Sequence, residues 1–193
     1  TMGRMQGLEI RKGSTQIKHG PFTTGGSLNY ISTAIPSSSL NSFDFMVGSF
    51  GKTVLHVKSG NTMGQWGYLF EVYNDMTDGF KELDGGGNTG YAKTDVMAKV
   101  RYSMSANHAV EMKVSMTDEI SDETYLGLSD DDYAANPLRR YRASQLDEMD
   151  ADHSQFVLSY AGKLSDNLTM AVSAYNNKFA RNWYKLNKVD GSS

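Results

Sequence analysis

The chain has 193 residues, with 19 basic and 22 acidic side chains and a net charge of −3, so it offers no basic patch of the kind nucleic acid binding needs. Cysteine is absent, which excludes disulfides, thiol catalysis and thiolate metal sites. Glycine (19) and tyrosine (11) are plentiful and proline scarce (3), a composition suited to sheet with tight corners.

No run of about eighteen apolar residues occurs, so no transmembrane helix is predicted. Thr1 to Gly13 has no apolar core between a charged start and a cleavage site, so no secretory signal is read there. Leu8 to Ile10 begins the chain's first apolar–charged alternation, which ends at Lys12-Gly13. Next comes "GPFTTGGSLNYIST", residues 20–33, where Gly20, Gly25 and Gly26 precede an alternating stretch. A glycine pair there suits positive φ or a close backbone approach, because either excludes a Cβ. A phosphate loop is not implied, since the Walker lysine is missing and no helix follows.

Period-two alternation dominates the rest. A strand is predicted through 43–49, "FDFMVGS", and two weaker ones at 53–59 and 67–76. Their inner residues would be His56, Lys58, Glu71, Tyr73 and Asp75. In 95–104, Val96, Ala98, Val100, Tyr102 and Met104 share one face; in 109–117, Val110, Met112, Val114 and Met116 do. Phe156, Leu158 and Tyr160 alternate within 154–160, and Leu168, Met170, Val172 and Ala174 within 168–175. The count is about seven strands between 43 and 183. Links at 61–66, 105–108 and 164–167 are short. Those at 77–91 and 120–151 are long and rich in acidic residues or glycine. The link at Phe50 to Lys52 is short but falls on the long-loop side.

Short turns at one end and long loops at the other describe a membrane-spanning meander. A soluble antiparallel sheet with one wet face alternates equally well. Charges deep within strands (Glu71, Lys99, Arg101, Glu111, Lys113) suit a water-filled lumen, and aromatics towards the strand ends (Phe43, Tyr102, Phe156, Tyr160) suit a lipid interface. Seven strands do not close an even-numbered barrel, and an open edge in lipid would leave amides unpaired, so the membrane reading expects this chain to be a segment of a longer one.

Catalytic constellations are absent from the pattern. His19, His56, His108 and His153 lack ligand spacing, and His153 beside Asp147, Glu148, Asp150 and Asp152 reads as part of a solvated acidic loop. "SDDDY" (129–133) lacks the glycine and the final glutamate of a calcium loop, and no serine sits in a nucleophile elbow. Neither enzyme activity, a cofactor nor a resident metal is expected.

"GLEIRKGSTQIKHGPFTTGGSLNYISTAIP", 7–36, resembles the C-terminal half of the plug domain of TonB-dependent outer-membrane receptors. The matching pieces are Leu8 to Ile10, Lys12-Gly13, His19-Gly20, Gly25-Gly26 and Leu28 to Thr33, with His19 where a tyrosine is more usual. "GSFG" (48–51) is similar to the start of the family's barrel. "SDETYLGLSDDDYAANPLRRYRASQLDEMD" with "FARNWYKL" looks like its ferric-dicitrate branch.

The resemblance implies an all-β, mainly antiparallel fold: the end of a plug (1–38), then about seven strands of a large, truncated transmembrane β-barrel (39–193). It implies TonB-driven import of a ferric siderophore or ferric citrate across the bacterial outer membrane, with lipid and lipopolysaccharide as surroundings and TonB contacted through a segment outside this chain. Gly25-Gly26 would close a turn inside the plug, with His19 to Thr24 a loop near the ligand. Ligand candidates are then Phe22, Thr23 and Thr24 on the plug and Arg139, Arg140 and Arg142 in the longest loop, since guanidinium forks match carboxylates. Tyr141 would stack or hydrogen-bond between these arginines; pairing of the arginines with nearby aspartates or lipopolysaccharide phosphates is the favoured alternative to ligand contact. Phe22 is apolar where citrate calls for a polar or basic group, which leaves the chelate open. Glu9, Arg11 and Lys12 are expected to meet Glu71, Arg101 and Glu111 in polar plug-to-barrel contacts. A soluble β-rich binding or adhesion module is the alternative, and it would cover Phe156, Leu158 and Tyr160 with a second sheet. A passive porin fits the first forty residues poorly.

Overall fold

The computed structural model describes residues 2–13 and 24–188; Gly20, Phe22 and Thr23 lie outside the described residues. A short 3-10 turn, Met2–Arg4, leads into strand β1 (Met5–Lys12). β1 pairs antiparallel with β2 (Gly26–Ser32), Leu8 opposite Tyr30 and Ile10 opposite Leu28. Gly26 stands opposite Lys12 at φ 133°, and a Cβ there would lie 2.4 Å from the Arg11 carbonyl oxygen. The glycine requirement therefore rests on Gly26; nothing crowds Gly25.

Residues 33–39 lead into a seven-stranded antiparallel sheet. Its strands are β3 (Leu40–Val47), β4 (Thr53–Met63), β5 (Trp66–Thr77), β7 (Tyr91–Ser105), β8 (His108–Ser121), β10 (Glu148–Ser165) and β11 (Leu168–Tyr184). Each pairs with the next in the chain, so the sheet is a plain meander. The links at 64–65, 106–107 and 166–167 are tight turns at one end. At the other end, residues 48–52 turn through Phe50 (φ 61°) and Gly51 (φ 62°), and Gly48 N–H reaches the Lys52 carbonyl at 2.8 Å. Two long connections leave from that same end. Short strands β6 (Glu82–Leu83) and β9 (Arg139–Arg140) pair in parallel and tie the two together. Helix α1 (Asp130–Ala135) lies in the second; Ser129 caps it by accepting from the Asp132 N–H.

Opposite residues in a ladder share a face. One row of one face runs Ser42, Lys58, Glu71, Met97, Ser115, Gln155 and Asn177; a neighbouring row of the other face runs Phe43, Val57, Val72, Val96 and Met116. The charged face is the covered one: Glu71 and Asp95 are fully buried and Lys99 nearly so, whereas Phe43, Phe45, Phe70 and Met116 on the opposite face are exposed. The buried apolar cluster is small, Ile35, Leu69 and Met97. The sheet is thus polar where it is covered and apolar where it is not, the reverse of a water-soluble core. Phe156 and Leu158 remain 42% exposed, with no second sheet over them among the described residues.

The predicted strands all occur, but β10 begins at Glu148 rather than 154 and β11 runs to Tyr184 rather than 175. Most of the acidic stretch expected as loop is therefore strand. Asp150 is opposite Ile120 and Asn182, and Asp152 is opposite Asp118 and Ala180, so ladder bonds on both sides override the low β-propensity of aspartate. The same pleat parts His153 from Asp150 and Asp152, which face the other way.

Two glycines let residues 33–39 lie on the wall. A Cβ on Gly60 would come within 2.8 Å of Pro36 Cδ and of the Tyr68 carbonyl, and one on Gly67 within 2.8 Å of Ile35 Cγ2. We expect Gly60→Ala to destabilise the protein by about 1–3 kcal/mol. A lowered Tm in detergent, beside an unchanged Ser59→Ala control from the uncovered face, would show it; an unchanged Tm would mean that Pro36 does not seat there.

Candidate functional site

Two polar constellations stand out. The first joins the hairpin to the sheet. β5 and β7 place Glu71 and Asp95 on the covered face in adjacent rows, since Tyr73 is opposite Asp95 and Glu71 opposite Met97. Arg4, 5% exposed, enters between them: its Nε donates to Asp95 Oδ1 at 2.9 Å, and its Nη1 lies 3.7 Å from Glu71 Oε2 and 3.0 Å from the Met97 sulfur. Thr33 Oγ1 donates to Glu71 Oε1 at 3.0 Å, and His56 Nε2 shares that oxygen at 2.7 Å. Lys99 Nζ donates to the Thr33 carbonyl at 2.6 Å. Below this, Ile35 packs with Leu69 and Met97. Above it, Gly3 lies against Tyr73, where a Cβ would meet the hydroxyl at 2.2 Å.

Glu71 therefore takes contacts from the hairpin side through both Arg4 and Thr33. Among Glu9, Arg11 and Lys12, by contrast, Arg11 bonds to Glu9 within its own strand and Lys12 is exposed at the strand's end. Arg101 and Glu111 face each other across β7 and β8 without a hydrogen bond or ion pair to the hairpin among the described residues. Arg4 carries no signal in the sequence, because it precedes the alternating stretch in a turn that has no period of its own.

The second constellation lies in the long connections. Arg139 grips both Asp84 oxygens through Nε and Nη2 (2.9–3.1 Å), and its Nη1 donates to Asp132 Oδ1 at 2.6 Å. Its guanidinium lies 5.1 Å from the Tyr141 ring centroid; the Tyr141 hydroxyl donates to Asp132 and accepts from the Ser129 N–H. Arg140 is 3% exposed and bonds inside the loop, to Ser144 Oγ and to the carbonyls of Asp122, Ser144 and Asp147. Buried Asp147 accepts from Thr124 Oγ1 and from the Leu186 N–H, which draws the segment after β11 into the same brace. Arg142 is exposed. With Asp84, Ser129, Tyr141, Asn187 and Lys188 it lines an open cleft of about 730 Å³. So the three arginines divide: Arg139 and Arg140 brace the loop, and Arg142 faces the cleft. On the hairpin, Thr24 is exposed just ahead of β2.

The hydrogen bonds from Arg139 hold the Asp84 carboxyl below its usual 3.8. Asp132 is likewise lowered, first by the Tyr141 hydroxyl and then by Ser129 and Arg139. Arg139 is raised in return, chiefly by Asp84.

No protein-family model matches the sequence, and no curated protein matches it. Solved structures do. The ferric-catecholate import receptor Fiu from E. coli K12 superposes with a TM-score of 0.72 at 13% identity, covering 93% of this chain and 29% of its own. The siderophore receptor PiuA from Acinetobacter baumannii gives 0.78 at 14%, covering 94% and 27%. The unliganded ferric citrate transporter FecA gives 0.75 at 17%, covering 94% and 28%. This chain thus has the partial-barrel fold found within ferric-chelate receptors, and it spans under a third of the length of each.

Two outcomes are expected. Arg4→Ala leaves two buried carboxylates without their guanidinium, so stability should fall by about 3–5 kcal/mol, with amides of β1 and β2 losing protection in hydrogen exchange; unchanged protection would refute the anchor. For the loop brace, folded pKa values below the unfolded ones mean that stabilisation is complete above about 3.8 and is lost as pH falls through the lower folded values. Carboxyl NMR titration should find Asp84 and Asp132 midpoints below those of the Arg139→Gln variant.

Proposed function

We propose that this chain is part of a TonB-dependent receptor that imports a ferric chelate, a siderophore or ferric citrate, across the bacterial outer membrane. The observation that carries the reading is the inverted sheet. A charged face holds the hairpin, an apolar face stands uncovered, and the same arrangement of chain is found in receptors for ferric chelates. In this reading residues 1–38 close the plug and 39–193 form the wall, with the uncovered face against lipid. Trp66 and Tyr102, with rings 4.6 Å apart at the turn end, fit an interfacial girdle. A soluble module would have to cover Phe156 and Leu158, which favours the membrane reading.

The work asked of these residues is binding and controlled release. Arg142 presents a fork to an anionic group of the chelate, and the Arg139 and Arg140 braces hold it in place. Phe22, Thr23 and Thr24, which lie between β1 and β2 in the sequence, are proposed to reach the ligand from the plug side, with Gly20, Gly25 and Gly26 as the proposed plug turn. Lipopolysaccharide phosphates are the proposed neighbours of the outer loops. Iron is cargo, and the reading needs no cofactor and no covalent step. Release then means breaking the contacts of Arg4 and Thr33 to Glu71, Asp95 and Lys99 of the wall, and TonB supplies that work through a segment outside this chain.

Radioiron uptake by iron-starved cells tests the reading. Saturable uptake that stops when the proton gradient is dissipated supports it; uptake that is linear in chelate concentration, or indifferent to the gradient, overturns it. Arg142→Ala should weaken binding of an anionic chelate by roughly tenfold, and Arg142→Lys should recover part of that. Titration of the purified protein reads both.

A further inference from the structure

Glu71 and His56 both belong to the sheet, on β5 and β4, so their contact stays with the sheet whether or not the hairpin is docked. His56 Nε2 lies 2.7 Å from Glu71 Oε1. An ionised carboxylate only accepts, so Nε2 carries the proton of the neutral ring and Nδ1 is the atom left to take a second. No described residue hydrogen-bonds to that Nδ1. His56 is 15% exposed, and its ring meets that of Tyr73 edge-on, with centroids 5.3 Å apart.

The charged and titratable groups around His56 divide into those that stay and one that leaves. On the sheet, Asp44 and Tyr73 stand opposite His56 on its two sides, and Lys58 is opposite Glu71. Asp75 accepts from the Tyr73 hydroxyl at 3.2 Å, Asp95 follows Tyr73 in the same row, and Lys99 is opposite Leu69. All of these remain when the hairpin departs. The hairpin side brings the Arg4 guanidinium, set between Glu71 and Asp95, with Gly3 packed against Tyr73 and Thr33 Oγ1 on the oxygen that His56 shares.

A second proton on His56 therefore has different neighbours in the two states. With the hairpin docked, the imidazolium and the Arg4 guanidinium attend the same Glu71 carboxylate and repel each other. With the hairpin away, that repulsion is gone and Glu71 and Asp95 have lost their counter-charge. Gly3 also no longer covers Tyr73, so water reaches the neighbouring ring. Each change favours the charged ring in the undocked state.

We infer that His56 is a proton-operated release element, which on protonation takes over from Arg4 as the counter-charge of Glu71 and so favours the undocked hairpin. Because the undocked state is the one that holds the extra proton, docking is strongest at neutral pH and above. It weakens as pH falls through the range in which histidine charges, about 8 to 5. The use of this element in letting cargo pass rests on the transport reading above.

The test is amide hydrogen exchange of the full chain in detergent at about pH 7.5 and about pH 5.5, with protection corrected for the intrinsic pH dependence of exchange. Amides of β1 and β2 should lose at least about threefold in protection at the lower pH, while those in the β8–β10 ladder keep theirs. His56→Gln retains a donor for Glu71 but takes up no proton, so its β1 and β2 protection should be the same at both pH values. Hairpin protection that ignores pH in the unsubstituted chain, or that falls equally in His56→Gln, overturns the inference. Should His56→Gln lose the β8–β10 ladder as well, His56→Asn takes its place. Neither chelate nor TonB enters this measurement, so the two readings fail separately. An acid-released hairpin beside non-saturable uptake keeps the element and overturns transport. Saturable, gradient-dependent uptake beside a pH-indifferent hairpin does the reverse.

Discussion

The structure turns on a guanidinium held between two buried carboxylates. Glu71 and Asp95 project from β5 and β7 into a covered space where an ionised carboxylate without a counter-charge is strongly disfavoured. Arg4 supplies that charge from a turn outside the sheet, and Thr33 and His56 satisfy one Glu71 oxygen. Hairpin and sheet are therefore energetically dependent on each other, although the buried apolar cluster beside the joint, Ile35 with Leu69 and Met97, is small among the described residues. A contact made mainly of charge and hydrogen bonds is specific in register. It can also be exchanged for water, which an apolar contact of equal strength could not be. Such a joint suits the proposed holding and release of the hairpin.

The same economy governs the loops. Their length would leave them loose, yet Arg139 and Arg140 turn them into a braced unit in two ways. Arg139 pairs with carboxylates from two segments, Asp84 and Asp132. Arg140 is spent on backbone carbonyls, closing 122–147 on itself. The exposed Arg142 is left on a cleft whose walls are already braced, so the proposed binding of an anion there would need little ordering.

Most of the sheet was legible in the sequence. Alternation with a period of two placed His56, Lys58, Glu71, Tyr73 and Asp75 on one face, because the pleat allows no other arrangement once a residue is in a strand. Turn and loop lengths likewise marked the two ends. Strand ends were harder to read. The acidic stretch from Glu148 looks like loop by composition, and it is strand because β8 and β11 offer ladder bonds on both sides. Helix α1 carried a readable cap in Ser129 followed by three aspartates, but it is too short to show a period.

Sequence alone determined which side chains share a face, where the chain turns, and that this chain has no thiol; all of these are local or additive properties of the chain. Tertiary structure decided which charges meet. Arg4 is 91 residues from Asp95, and Arg139 is 55 from Asp84, distances over which no periodicity carries information. It also decided that adjacent arginines with the same chemistry do different work. Arg140 points into the loop and Arg142 out to the cleft because of folded backbone direction, which the residue type does not encode.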